Sequence, residues 1–268
     1  MDTWLDEIDL DVTGPPVSMG VRKLGNRPWT FTDAFTKDEL ALKLRLSDDM
    51  SKEVFIAANE AELAGKAVLE LIKKSGVKVL NSHSGHSLEK AGLSVQEDLC
   101  LMKRTSEGWI LKAASLCFPS RWQLREKIGK DMSRIHGPVE GYEEHLSKRV
   151  NNFFDRLGDE PVWRRNWFIH PDNSLYQPQR PPNGDPIIGF GEIGEKLFVR
   201  SERQTLQLLE IPGWILFAIR VQRTPLENLL LTRKEEFQKW IFEAPVSHHD
   251  HKGLVIEQVS EIQKALVN

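Results

Sequence analysis

EKLFVRSERQTLQLLEIPGWILFAIRVQ, residues 195–222, is the stretch whose reading decides the fold. On either side of Pro212-Gly213 it runs in β-branched, aromatic and aliphatic residues, so it reads as two long strands turned back on each other. Side chains alternate across a strand, which sends Arg200, Glu202 and Gln204 to one face and Val199, Ser201, Arg203 and Thr205 to the other. Counting outward from the turn sets Arg220 across the hairpin from the span between Leu206 and Arg203. Two readings follow for these charges: a solvent face laced with cross-strand ion pairs, or a pocket shared by a guanidinium and the Glu202 carboxylate.

A second hairpin is expected in DLCLMKRTSEGWILKAASLCF, residues 98–118, joined at Ser106 to Gly108. Helical spacing dominates between residues 37 and 75, where Gly76 follows Lys73 and Lys74 as a C-terminal stop. It returns in RWQLREKIGKDMSRI and EEHLSKRVNNFFDRL, the latter with an apolar stripe of Leu146, Val150, Phe153, Phe154 and Leu157. A proline-rich connector, PDNSLYQPQRPPNGDP, precedes the long hairpin, and residues 226–268 are helical again around a polar break at PVSHHDHKG. Residues 1–36 read as an extended arm. Hairpin, helices, hairpin is the order of an α+β fold: an antiparallel sheet with helices packed on one face and helical extensions at both ends. We expect residues 1–95 to pack on a core of residues 96–225, with residues 226–268 closing one integrated domain.

Composition limits the function. The chain has 268 residues, 40% hydrophobic and 28% charged, the balance of a globular protein with a large core. With 36 basic against 39 acidic residues it has no global positive field for nucleic acid or anionic lipid. An acidic start, MDTWLDEIDLDV, and the lack of a long apolar window predict a cytoplasmic protein with no membrane span. Cys100 and Cys117 lie in apolar runs and read as buried thiols of a reducing compartment.

Several motifs are discounted. GFGEIG, residues 189–194, matches G-x-G-x-x-G but follows the connector and runs into a strand, so it lacks the strand-to-helix context that cradles a dinucleotide. HSGHS and HHDH offer close imidazoles without the remaining ligands of a metal site. In RRNWFIHP, Arg164, Arg165, Asn166 and Trp167 either wall a pocket or anchor a loop, with packing the ordinary job of Trp167. His136, in SRIHGPVEGY, stands where a helical run meets Gly137-Pro138. Its surroundings leave three roles open: a surface cap, a buried imidazole satisfied by a carbonyl, or a ligand to a cofactor.

The ordered series SMGVRKLG, PWTFTD, QEDLCLM, CFPSRW, EKIGKDMSRIHGPV, RRNW, RSERQTL and LFAIR, spanning roughly residues 17–225, resembles the heme-dependent oxidative N-demethylase family, whose heme subunit has a PAS-like fold. Where the family pattern is I-H-x-P-V-P this chain has I-H-G-P-V-E, Glu140 replacing the second proline. The resemblance implies heme b with His136 as its axial ligand, a role suited to neutral imidazole. It also implies Arg203 and Trp167 in the heme pocket, and Glu202 and Arg220 as catalytic groups, the carboxylate for an amine cation and the guanidinium for a propionate or bound oxygen. The implied reaction is that of a monooxygenase: oxidative N-demethylation of a small methylated amine such as dimethylamine, using dioxygen and releasing formaldehyde. The chain has no flavin, nicotinamide or iron-sulfur motif, so its electrons are expected from a separate reductase. The alternative is a non-catalytic heme-binding PAS-like sensor or carrier.

Overall fold

Both expected hairpins form, and they lie side by side in a computed structural model that describes residues 3–13, 20–80, 85–131, 134–135 and 151–267. The strands are β1 (Arg22–Lys23), β2 (Phe55–Ala57), β3 (Asp98–Thr105), β4 (Gly108–Ser115), β5 (Val162–His170), β6 (Phe198–Leu208) and β7 (Trp214–Pro225). They form one sheet in the order β1-β5-β6-β7-β3-β4-β2, every pairing antiparallel. The β6–β7 hairpin therefore sits in the middle. Its turn needs Gly213 at φ +77°, and the β3–β4 turn needs Gly108 at φ +113°, where a side chain would be strained.

Cross-strand partners share a face, and two faces follow from the register. Arg165, Arg203 and Arg220 form one row, so this is the Arg203 face. Asn166, Glu202 and Val221 form the neighbouring row on the opposite, Glu202 face.

Helices α2 (Glu62–Lys74) and α3 (Ser87–Gly92) cover one half of the Arg203 face. Ala64, Val68, Ile72 and Leu88 meet Leu99, Leu101, Ala113 and Leu216 there. Each such buried aliphatic side chain contributes roughly 1.5–3 kcal/mol. The other half is covered by the N-terminal Trp4, Leu5 and Ile8 and by two C-terminal helices, α6 (Leu226–Glu243) and α8 (Ile256–Val267), against Trp167, Ile169 and Val199.

Sequence periodicity misplaced several elements. The helical run of residues 37–75 is broken: α1 (Thr36–Val54) ends in strand β2, which pairs with β4. Helices are not confined to one face, since Leu42, Leu46 and Val54 of α1 join Ile219 and Val221 on the Glu202 side. The run RWQLREKIGKDMSRI is not one helix: the turn α4 (Leu124–Lys127) ends where Gly129 at φ +75° turns the chain and Asp131 bridges to Ile110, and Arg134 and Ile135 are helical again. RRNWFIH is not a loop but part of strand β5. GFGEIG turns into a short helix, α5 (Ile193–Lys196), before β6, and HHDH lies in helix α7 (Val246–His251) rather than a linker. Most of EEHLSKRVNNFFDRL lies outside the described residues. No helix of the described residues is long and apolar enough to cross a membrane.

Candidate functional site

Strand β6, third of the seven, presents Glu202 from the middle of its length, 8% exposed. Ser120 Oγ donates to Glu202 Oε1 at 2.5 Å, and Gln204 Nε2 donates to Oε2 at 2.8 Å. Both donors are neutral. Arg200 lies on the same face, but its guanidinium turns to Ser120 Oγ and to the carbonyls of Phe118, Pro119, Ser174 and Leu175. Burial pushes Arg200 down to about 10, with the nearby charge of Glu202 opposing. Among the described residues Glu202 has no salt-bridge partner.

Beside this carboxylate the face becomes apolar. Cys100, Met102, Leu206 and Ile215 are buried, with Trp122, Ile135, Phe153 and Phe217 half-buried around them. His136 itself lies outside the described residues, yet the chain on either side of residues 136–150 packs here, through Ile135 before and Phe153, Phe154 and Leu157 after. A heme needs a broad apolar contact and a single imidazole. The half-buried aromatic and aliphatic patch fits the first requirement, and the sequence beside Ile135 supplies a histidine.

The expected pocket joining Glu202 to Arg220 does not form, because neighbouring rows of a sheet point to opposite faces. Arg220 is 1% exposed and donates to Glu39 Oε2 at 2.7 Å and Asp33 Oδ2 at 2.5 Å. Its opposite neighbour Arg203 donates to the carbonyls of Pro28 (2.7 Å) and Trp29 (3.3 Å), between the rings of Phe31 and Trp163. Arg165 completes the row with Glu7, Ser201 and Gln222. These arginines fasten the N-terminal arm to the sheet. Burial raises the Asp33 carboxyl, but hydrogen bonding from Gln96 and the charge of Arg220 outweigh it, leaving Asp33 below its ordinary value. Glu97, fully buried nearby, is pushed up by desolvation against the pull of Arg220 and a 2.7 Å hydrogen bond from Thr30. Trp167 also lies on the Arg203 face, 1% exposed, its indole N–H on the Asp9 carbonyl at 3.0 Å and its ring 5.0 Å from that of Trp240. The structure thus separates Glu202 from Arg203, Arg220 and Trp167.

No metal-binding group of histidine, cysteine and carboxylate residues occurs among the described residues. His86 caps α3, its Nδ1 accepting from Leu88 N–H at 3.1 Å, while His248 and His249 are packed into α7. Cys100 and Cys117 are buried, as read from their apolar runs, and desolvation pushes both thiols up, Cys117 to about 12.

Ser120 escaped the sequence reading. It lies inside the quoted fragment CFPSRW, but no periodicity places that loop under β6.

The fold is that of an α+β protein, with an enclosed carboxylate beside an apolar patch on one face of its antiparallel sheet. The sequence model of the family described as Haem-dependent oxidative N-demethylase, alpha subunit-like matches residues 64–258, more than half of the chain, and the chain belongs to that family. The match extends past the earlier fragments into the C-terminal helices and leaves SMGVRKLG and PWTFTD outside. A search of curated proteins found no match.

Proposed function

We propose that this chain is the heme-holding component of an oxidative N-demethylase, with a PAS-like core, acting on a small methylated amine of the dimethylamine kind. One observation carries the choice of substrate: Glu202 is nearly enclosed, is hydrogen-bonded only by neutral donors and has no ion-pair partner among the described residues. An enclosed anion left in that condition is costly, and a cation that enters beside it relieves the cost. A protonated amine supplies that cation together with an N–H to donate. On the arginine row Glu7, Asp33 and Glu39 are each paired with an arginine, and Glu97 is pushed towards its neutral form by desolvation, which leaves Glu202 on the opposite face as the receptive carboxylate.

In this reading His136 would hold the iron of heme b, and the patch of Trp122, Ile135, Phe153 and Phe217 would give the macrocycle its apolar contact. Bound heme would supply the iron chemistry by which dioxygen, with electrons from a separate reductase, oxidises the N-methyl group to formaldehyde. Glu202 binds and orients the amine, and the apolar patch excludes water. Arg203, Arg220 and Trp167, first expected in the pocket, brace the sheet from the other side.

The test uses heme-loaded protein, a reductant, dioxygen and a panel of methylated amines, with formaldehyde as the readout. Amine-dependent formaldehyde that falls at least tenfold in Glu202→Gln, with the Soret band retained, supports the reading. Reducible heme without any amine-dependent product favours a sensor or carrier. An unchanged Soret band and heme affinity in His136→Ala would remove that residue as ligand.

A further inference from the structure

Glu202 is held by a hydrogen-bond chain whose direction is fixed from behind. Arg200 has only donors, and at 1% exposure it places its Nε–H on Ser120 Oγ at 2.9 Å while its remaining groups tie down the carbonyls of residues 118, 119, 174 and 175. A hydroxyl that accepts from a guanidinium keeps one proton to give. That proton goes to Glu202 Oε1 at 2.5 Å, and the Gln204 amide takes the other oxygen at 2.8 Å. Both carboxylate oxygens are thus aimed, yet neither donor brings a charge, and each oxygen keeps a further lone pair.

We propose that Ser120 and Gln204 are positioning residues for Glu202, with Arg200 setting the polarity of the Ser120 hydroxyl, and that the resulting site selects ammonium ions bearing an N–H over quaternary ones. The proposal rests on the reading of Glu202 as the amine acceptor and adds how the carboxylate is aimed and what it rejects. A lysine or arginine partner would order the same carboxylate but cancel its charge. Neutral donors order it and leave the charge for the ligand. A directed lone pair rewards a cation with a proton to donate, and tetramethylammonium has none.

Two measurements on heme-loaded protein test this separately. First, the infrared difference between the wild type and Glu202→Gln isolates the Glu202 carboxylate bands. These bands should shift in both Ser120→Ala and Gln204→Leu and return in Ser120→Thr, which keeps a hydroxyl. Bands unmoved in both variants overturn the positioning role, whatever the amine does. Second, calorimetric titration with dimethylammonium and tetramethylammonium should show binding of the former only. Ser120→Ala should weaken it about tenfold, and turnover in this variant should show a raised KM with a smaller change in kcat. Tetramethylammonium binding as tight as dimethylammonium overturns the N–H selection. If the bands shift as expected but the wild type binds neither cation, the positioning stands and the amine reading of Glu202 fails.

Discussion

Arg203 and Arg220 stand directly opposite each other across the central hairpin, two like charges in a position where such a pair is unfavourable. The fold resolves the repulsion by giving them different partners. Arg220 takes the carboxylates of Asp33 and Glu39, and Arg203 takes two backbone carbonyls of the N-terminal arm.

Glu39→Gln should therefore destabilise the protein, because Arg220 is buried and keeps only Asp33 as an anionic partner. The expected loss is about 2 kcal/mol, the scale of a charged hydrogen bond in a buried pair. A urea titration monitored by tryptophan fluorescence reads it as a lower midpoint at unchanged slope. An unaltered midpoint would mean that the Arg220–Glu39 pair does not stabilise the fold.

The same contacts give the arm a pH dependence. Burial raises the Glu7 carboxyl, but Arg165 and Arg27 outweigh it, and both Glu7 and Asp33 end below their ordinary values of 4.5 and 3.8. A depressed carboxylate contributes stability that is complete above its unfolded value and is lost as pH falls through its folded value. Glu97 has the opposite sign: its contribution is complete below 4.5 and is lost as pH rises through its raised folded value. Hydrogen exchange of residues 3–10 should thus accelerate as pH drops below about 4, after correction for intrinsic rates, ahead of exchange in β6 and β7. Simultaneous loss of protection in the arm and the central hairpin would contradict this.

How much of this was legible follows from which residues obey a period. The β6–β7 hairpin could be read because its strands are long and its turn has a Pro-Gly pair, and the alternation assigned Glu202 and Arg203 to the correct opposite faces. Strand β5 could not. Its VWRRNWFIH puts Arg165 between Trp163 and Trp167 on one face and Arg164 between Val162 and Asn166 on the other, so neither face looks apolar. Arg165 is tolerated inside because Glu7, about 160 positions away in sequence, comes to meet it. The site was half legible for the same reason. Glu202 is marked by its strand, whereas Ser120 reaches it from a loop held by long-range contacts with Arg200, Asp98 and Gln177.

Close packing between α2, α3 and the sheet makes a steric prediction. A Cβ on Gly65 would lie 2.8 Å from the Leu88 backbone nitrogen, and one on Gly92 would lie 2.2 Å from Ser115 Oγ. Gly65→Ala meets backbone and should cost about 1–3 kcal/mol despite alanine's better helix propensity. Gly92→Ala meets a side chain that is itself buried, so Gly92→Ala combined with Ser115→Gly should recover most of its own loss. Thermal melts of the single and double variants check this. Additive losses would show that the clash with Ser115 is not the cause.

The last prediction concerns Lys43, which is wholly buried with Nζ 3.2 Å from Asp98 Oδ1 and on the carbonyls of Gly92 and Glu97. Asp98 in turn accepts the backbone N–H groups of Cys117 and Phe118, so one ion pair joins α1, α3, β3 and the chain leading to Ser120. Lys43→Met keeps the volume but leaves a buried carboxylate with backbone donors alone, and should cost about 3–5 kcal/mol. Asp98→Asn in that background removes the stranded charge and keeps one acceptor, so the double variant should be more stable than Lys43→Met. A double-mutant cycle by urea titration measures the coupling. If the second substitution only adds to the loss, the damage in Lys43→Met comes from packing and not from the charge left behind.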